Sequence, residues 1–387
     1  MTIVFVSNYY NHHQLYFCTE LIKRIDKFWF ISTRAIPETT IQFGYENINY
    51  QHEYIIRTYE GASEYEKAKK LIGESDVVIF GDCPSEYIKF RNTESKTSFL
   101  YNERFFKKGM WRRYIPTTYK KIYNRILKYP NIKILCASAF LPLDLQKCGY
   151  SVKNCYKWGY FTEFIDYSKN SFEDKKKNVR PLILWAGRFI EWKHAMDAID
   201  VAIRLLNDGY DFDMNIIGSG KLEKELKSKV HAKGLSGRAK FLGSLSPQRV
   251  RAHMEKADIY LFTSDKNEGW GAVLNEAMNS GCAVIASHAI GSVPFLIRNK
   301  ENGMIYKSGD INELYEITKY LLGNQEECRR LGKNAYFTIK NEYNPEIAAE
   351  RLVRFAMGLI KNEQYEFNGG VLSPAQILKE NYFYQKS

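Results

Sequence analysis

Short apolar runs recur along this chain, and each is followed by a segment of helical period. In the second half, Leu182–Ala186, Phe212–Ile217, Lys240–Leu242, Ile259–Thr263 and Cys282–Ala286 read as strands. Between and after them, Trp192–Asn207, Lys221–Lys233, Pro247–Lys256, Val273–Ser280 and Asn312–Leu322 read as helices. Continuous apolar strands are buried on both faces, which requires a parallel sheet with helices on either side. The first half repeats the grammar, with strands expected at Ile3–Ser7, Phe28–Ser32, Val77–Phe80, Ser98–Tyr101 and Ile134–Ala137. Helices are expected there at Gln14–Lys27, Ser63–Ile72 and Thr117–Tyr129. With 387 residues, two doubly wound α/β domains in tandem are expected. The charged stretch Tyr167–Arg180 marks the boundary. Residues 1–170 then form one Rossmann-like domain, 171–357 a second, and 358–387 a tail.

Ligands of such sheets sit beyond the carboxyl ends of the strands, so two of them facing each other would form a cleft. The strongest chemical signal lies after Ile259–Thr263, in Glu268-Gly-Trp-Gly-Ala-Val-Leu-Asn-Glu276. Gly269 and Gly271 permit a tight turn and close approach to the backbone. The helix that follows aims its amides at the same space. Glu276 lies up to about 12 Å from Glu268 along a helix, the span between the sugar and the ribose of a nucleotide sugar. A second signal, Gly187-Arg188 with Lys193, follows Leu182–Ala186; Arg offers a planar fork to phosphate and Lys a point charge. Each cluster alone is also what solvated side chains at a helix entry look like. On strands of one sheet, their charge pattern matches a nucleotide-diphosphate sugar. Gly218-Ser-Gly220 resembles a dinucleotide turn, but the third glycine is absent.

The segment from about 181 to 310 resembles the catalytic C-terminal domain of retaining glycosyltransferases of family 4, which have the GT-B fold. The matching pieces are LILWAGRFIEWKH, NIIGSG, KFLG, EGWGAVLNEAMNSGCAVIAS and Gly291-Ser-Val-Pro294. The resemblance implies that Arg188 and Lys193 bind the donor diphosphate, Glu268 the transferred sugar and Glu276 the ribose. It implies phosphate contacts from the amides of Gly269, Trp270, Gly271, Ala272 and Val273, with Gly187, Gly218 and Gly243 lining the donor. It further implies metal-independent transfer of a hexose from UDP- or GDP-sugar with retention, no cofactor, and a C-terminal helix that crosses back to the first domain. The acceptor would be lipid-linked or a saccharide, in surface polysaccharide assembly of a bacterial type.

The first half matches in layout alone. Many members carry a glycine-rich turn after the first strand, where this chain has Asn8-Tyr-Tyr-Asn-His-His13. A histidine common in a later loop is replaced by Tyr101-Asn102-Glu103-Arg104. His12, His13, Asp82, Glu103 and Arg104 all follow expected strands and are the acceptor-side candidates, with His12 or Glu103 as a possible base for the acceptor hydroxyl.

The formal charge of +12 is concentrated: residues 101–150 hold eleven Lys or Arg against two Asp or Glu. In Thr117–Tyr129 the residues Tyr119, Ile122, Tyr123, Ile126 and Leu127 share a helical face, and Lys120, Lys121, Arg125 and Lys128 the other. With Lys107, Lys108, Trp111, Arg112 and Arg113 they form a candidate docking surface for an anionic membrane. The same composition also describes an ordinary amphipathic helix on its sheet. Met1–Ser7 reads as a strand, no apolar stretch is long enough to span a bilayer, and the odd set of seven cysteines lacks zinc spacing. A cytoplasmic protein peripheral to the inner membrane face is expected, without structural metal. A nucleotide-sugar epimerase on the same scaffold is the alternative. A nucleic-acid protein lacks a recognition motif.

Overall fold

The computed structural model describes residues 1–42, 46–167, 179–363 and 365–384. The chain divides into two compact units, one of residues 1–162 with 342–380 and one of 163–341 with 381–387. Most of the boundary segment Tyr167–Arg180 lies outside the described residues.

The first unit holds a seven-stranded sheet. Its strands are β1 (Thr2–Ser7), β2 (Lys27–Ser32), β3 (Ile55–Arg57), β4 (Val77–Phe80), β5 (Ser98–Asn102), β6 (Lys133–Cys136) and β7 (Cys155–Lys157). All pair in parallel, in the order β3-β2-β1-β4-β5-β6-β7. The order reverses between β1 and β4, so the chain leaves these two strands in opposite directions and opens a crevice at their carboxyl ends. β4 is buried along its whole length, which explains its unbroken VVIF. Helix His12–Ile22 starts on a capping box between Asn11 and Gln14.

Helix Pro345–Lys361 belongs to this unit: the bounds 171–357 put most of it in the second domain, whereas the resemblance implies a C-terminal helix that crosses back to the first. It is capped by Asn344, which accepts from the Ile347 amide, and packs on helix His12–Ile22. Its Phe355 meets Phe99 and Tyr156 at ring distances of 6.0 and 4.7 Å. The following residues cover the β7 edge: Leu372 donates to the Lys157 carbonyl and Lys157 to that of Ser373, both at 2.8 Å. A covered edge has no free ladder for a second chain.

The second unit holds six parallel strands, β8 (Leu182–Ala186), β9 (Asp213–Ile217), β10 (Ala239–Phe241), β11 (Ile259–Phe262), β12 (Ala283–Ser287) and β13 (Met304–Tyr306). The order is β10-β9-β8-β11-β12-β13, with the reversal between β8 and β11. Helix Ala195–Asn207 buries Ile199, Ala202 and Leu205 against Ile183, Leu261 and Ile285 of the sheet. Residues 381–384 return to this unit, where the Phe383 ring stacks near His288 at 6.3 Å.

The loops after β8, β9 and β10 interlock. The Gly187 amide donates to the Ile217 carbonyl, Phe189 to Ser219, and Gly218 to Gly243, at 3.0, 2.8 and 2.8 Å. Gly218 has φ +137°, and a Cβ there would lie 1.8 Å from the Gly187 carbonyl oxygen. No side chain fits without separating the two loops. Gly218→Ala should therefore cost about 3 kcal/mol, near the top of the range for single substitutions, read as a lower denaturation midpoint. An unchanged midpoint would contradict the interlock.

Candidate functional site

In the second unit, the loops leaving β8 and β11 meet at the sheet's reversal. Lys193 Nζ makes a close ion pair with Glu268 Oε2, and both side chains are nearly buried. Ser264 Oγ donates to the same carboxylate oxygen at 3.1 Å. Thr263 locks the two loops together: its hydroxyl donates to the Lys193 carbonyl at 2.7 Å and accepts from Trp185 Nε1 at 2.9 Å. Trp192 collects the cations. Lys193 Nζ lies 4.6 Å and the Arg188 guanidinium 5.7 Å from its ring centre. Arg188 is exposed. The structure thus brings Arg188, Lys193 and Glu268 together; Trp192, Thr263 and Ser264 were missed, although Thr-Ser directly after a buried strand was a readable cue.

The Glu268–Glu276 segment folds as a tight turn into helix Val273–Asn279, whose first turn has no capping side chain. Gly271 has φ +80°, and a Cβ there would come 2.3 Å from the Phe262 ring. The Trp270 ring is fully buried and its Nε1 donates to Asn275 Oδ1 at 2.9 Å, so its side chain is core; the role the resemblance implies for Trp270 belongs to its backbone amide. Gly269, Ala272 and Val273 lie along this turn and helix start, and Gly243 ends the β10 loop.

Glu276 is half-buried. Burial pushes its carboxyl pKa up, the Arg251 charge opposes the shift and Glu163 adds to it. Arg251 is itself buried, donating to the Glu276 carbonyl at 3.2 Å and to Asn279 Oδ1 at 2.8 Å. His194 begins helix Ala195–Asn207 with φ 51°. Asp197, then Asp265, raise its pKa against the opposing effect of burial.

In the first unit, a recess of about 750 Å³ lies at the carboxyl ends of β1, β2, β4 and β5. His13, Asp82 and Glu103 line it. Tyr160 donates to Glu103 Oε1 at 2.6 Å and stacks on His13 at 5.3 Å, while Lys107 pairs with Glu103 Oε2 at 2.5 Å. Arg104 also borders the recess, but its guanidinium is buried against Asp144 at 3.2 Å and Glu380 at 2.8 Å, which makes it a structural clamp. His12 is outside the lining, and burial lowers its pKa to about 4. Burial also holds His13 neutral, and the charge of His12 reinforces this.

The expected helix Thr117–Tyr129 is α over Pro116–Ile122 and then a π-turn over Tyr123–Leu127. Arg125, expected on the solvated face, is buried. Its Nε donates to Asn102 Oδ1 at 3.1 Å, its Nη1 to the Cys83 carbonyl at 2.7 Å, and its Nη2 to that of Gly81. The expected apolar face splits as well: Ile122 and Ile126 enter the core, whereas Tyr119 and Tyr123 stay outside. Lys107 and Lys121, expected to dock on a membrane, line the recess. Lys108, Trp111 and Lys120 are exposed, and Arg112 and Arg113 are half-exposed beside Trp111 and Tyr114. Among the described residues no group of His, Cys, Asp or Glu gathers as metal ligands would, all seven cysteines are free, and no helix is long and apolar enough to cross a membrane.

The family model for glycosyl transferases group 1 matches residues 166–337, the segment that carries the Lys193–Glu268 pair. Residues 166–337 are therefore similar to glycosyl transferases group 1. An uncharacterized glycosyltransferase of Methanocaldococcus jannaschii is 25% identical over 295 residues, 64% of this chain and 82% of the relative. The amylovoran biosynthesis glycosyltransferase AmsK of Erwinia amylovora is 29% identical over 203 residues, 49% of this chain and 50% of AmsK. The chain therefore spans about half the length of AmsK. Among solved structures, Anabaena HepE in complex with UDP superposes with a TM-score of 0.67 at 15% identity, over 92% of this enzyme and 100% of HepE. A Rickettsia africae glycosyltransferase gives 0.67 at 16%, over 94% and 99%. These neighbours establish the GT-B pair of Rossmann-like folds for the enzyme.

The raised pKa of Glu276 fixes a sign. A carboxyl whose folded pKa lies above its unfolded value stabilises at low pH and loses that contribution as the pH rises through the folded value. Glu276→Gln removes the ionisation cost, so the variant should melt about 1–2 °C above the parent enzyme near about pH 8. The gap should close toward about pH 5. A variant melting lower at both pH values would refute this account.

Proposed function

We propose that this enzyme is a retaining family 4 hexosyltransferase that moves a hexose from a UDP- or GDP-sugar to a lipid-linked or saccharide acceptor in surface polysaccharide assembly. The observation that carries the reading is the Lys193–Glu268 pair at the β8/β11 reversal, flanked by Arg188 and an uncapped helix start. Arg188, Lys193 and the amides of Gly269–Val273 hold the diphosphate. Glu268 accepts hydrogen bonds from the sugar hydroxyls, and Glu276 from the ribose diol. As the bond from the anomeric carbon to phosphate oxygen lengthens, negative charge grows on the departing diphosphate, where preorganised cations act most strongly. The cations supply the role a metal plays elsewhere, so transfer proceeds without one. The acceptor oxygen bonds to the anomeric carbon on the face the phosphate leaves, and its proton passes to the phosphate oxygen. HepE bound to UDP and AmsK named for amylovoran biosynthesis support the donor class and the pathway type. The epimerase alternative has no support among these relatives.

Arg188 is exposed, so its removal leaves the fold intact and isolates its role. Arg188→Ala should reduce kcat/KM about 10²-fold at an unchanged melting temperature, with UDP- or GDP-sugars protecting the parent enzyme against heat. Full activity in the variant would sink the diphosphate assignment.

A second reading concerns location. Trp111 and Tyr114 are 60% and 72% exposed among Lys108, Arg112, Arg113 and Lys120. Large aromatics beside cations suit the headgroup layer of an anionic membrane, at about 1 kcal/mol per cation near the surface. The enzyme would then work at the inner face of the cell membrane as a peripheral protein. Flotation with anionic vesicles should carry it at low salt and release it at high salt, and neutral vesicles should leave it behind. No flotation at low salt would overturn the membrane reading.

A further inference from the structure

The first-unit recess has an unbalanced charge. Two carboxylates line it, and each already has a cation: Asp82 pairs with Arg34 at 3.3 Å and Glu103 with Lys107. Two other lining cations have no carboxylate among the described residues. Arg125 is buried, donates to the neutral oxygens of Gly81, Cys83 and Asn102, and also lies against the Cys83 thiol. The three oxygen bonds use three of the five N–H groups of a guanidinium. Lys121 lies four residues earlier on the same segment, is exposed, and borders the same recess.

A buried guanidinium without a counter-ion is costly unless something supplies negative charge. Carbonyl oxygens satisfy hydrogen bonds but leave the full charge in place. The field in the recess is therefore positive around Lys121 and Arg125. On the other side stand groups suited to a hydroxyl. His13 Nδ1 is buried at the recess wall without a hydrogen-bond partner, and Glu103 is held by Tyr160. The two sides are joined through Asn102, which accepts from Arg125 and donates to the Glu103 carbonyl. The π-turn is what delivers Arg125 to this floor, and such turns recur at functional sites.

We propose that this recess binds an acceptor that carries a phosphate group, with the phosphate at Lys121 and Arg125 and the accepting hydroxyl toward His13 and Glu103. The inference rests on the transferase reading and adds the acceptor's charge to it. The phosphate can belong to a lipid headgroup or to a soluble phosphosugar. Both present the same oxyanion, and two bidentate or point-charge contacts recognise it.

The test is calorimetric titration of the full-length enzyme, saturated with UDP, with farnesyl phosphate and glucose 1-phosphate, and with farnesol and glucose as uncharged counterparts. The parent enzyme should bind at least one phosphate probe about tenfold or more tightly than its uncharged counterpart, with affinity falling as salt rises. The phosphate that binds more tightly identifies the lipid or the soluble source. Lys121→Glu, at an exposed position that leaves the fold intact, should abolish that preference; Arg125→Lys should weaken it. Equal affinity for charged and uncharged probes, or a preference unchanged in Lys121→Glu, overturns the proposal. Heat protection by UDP or GDP is measured on the same samples. Protection without phosphate preference rejects the acceptor proposal and keeps the donor reading. Phosphate preference that depends on Lys121, without nucleotide protection, rejects the donor reading alone.

Discussion

The Lys193–Glu268 ion pair is the contact around which the second unit's chemistry is arranged. Its two ends come from loops that leave adjacent strands in opposite directions, so nothing in the sheet itself would keep them together. Both side chains are nearly buried. Removing one partner from such a pair costs about 3–5 kcal/mol, because the other charge is left desolvated. The surroundings hold the geometry: Thr263 fastens the Lys193 carbonyl, Ser264 holds the Glu268 carboxylate, and the three interlocked glycine loops fix the β8 exit. The lysine charge is thereby held in place by the fold rather than left free to swing.

Strands buried on both faces were legible because burial demands unbroken apolar runs. Val77–Phe80, Leu182–Ala186 and Pro247–Lys256 have the bounds the sequence indicates, and most others differ by a residue or two. The strands β3, β7 and β13 were not visible, since three residues are too few for a period to show; β10, equally short, was read with the help of its KFLG piece. Helix Gln325–Glu342 was missed because it is polar over most of its length, and its buried stripe mixes Leu331, Ala335 and Ile339 with Cys328, Gly332, Tyr336 and Thr338.

The candidate site was legible where two clusters rise on adjacent strands of one sheet: Arg188 and Lys193 after β8, and Glu268 after β11. Arg125 shows the limit. An arginine in a basic helix reads as solvated, yet widening from α to π changes which side of the segment it occupies. Neither a side chain's hydrogen-bond partner from a distant strand nor a change in helical pitch has a local signature in sequence.

The same correction changes the meaning of the basic stretch 101–150. Arg104 closes a buried pair with Asp144, Lys107 neutralises Glu103, and Arg125 charges the recess floor, while Lys108, Lys120 and Lys128 remain outside. A dense run of positive charge is thereby divided among a structural clamp, a recess and a surface. The two sheets share one strand order, and each places its polar site at the reversal. They differ in electrostatic balance: the second unit sets a cation against a carboxylate at the reversal, and the first leaves a cation without one. The same topology therefore presents a balanced centre with an added arginine in one unit and a net positive recess in the other. The distinction lies in the loops that leave the strands, because the buried strands are committed to apolar packing.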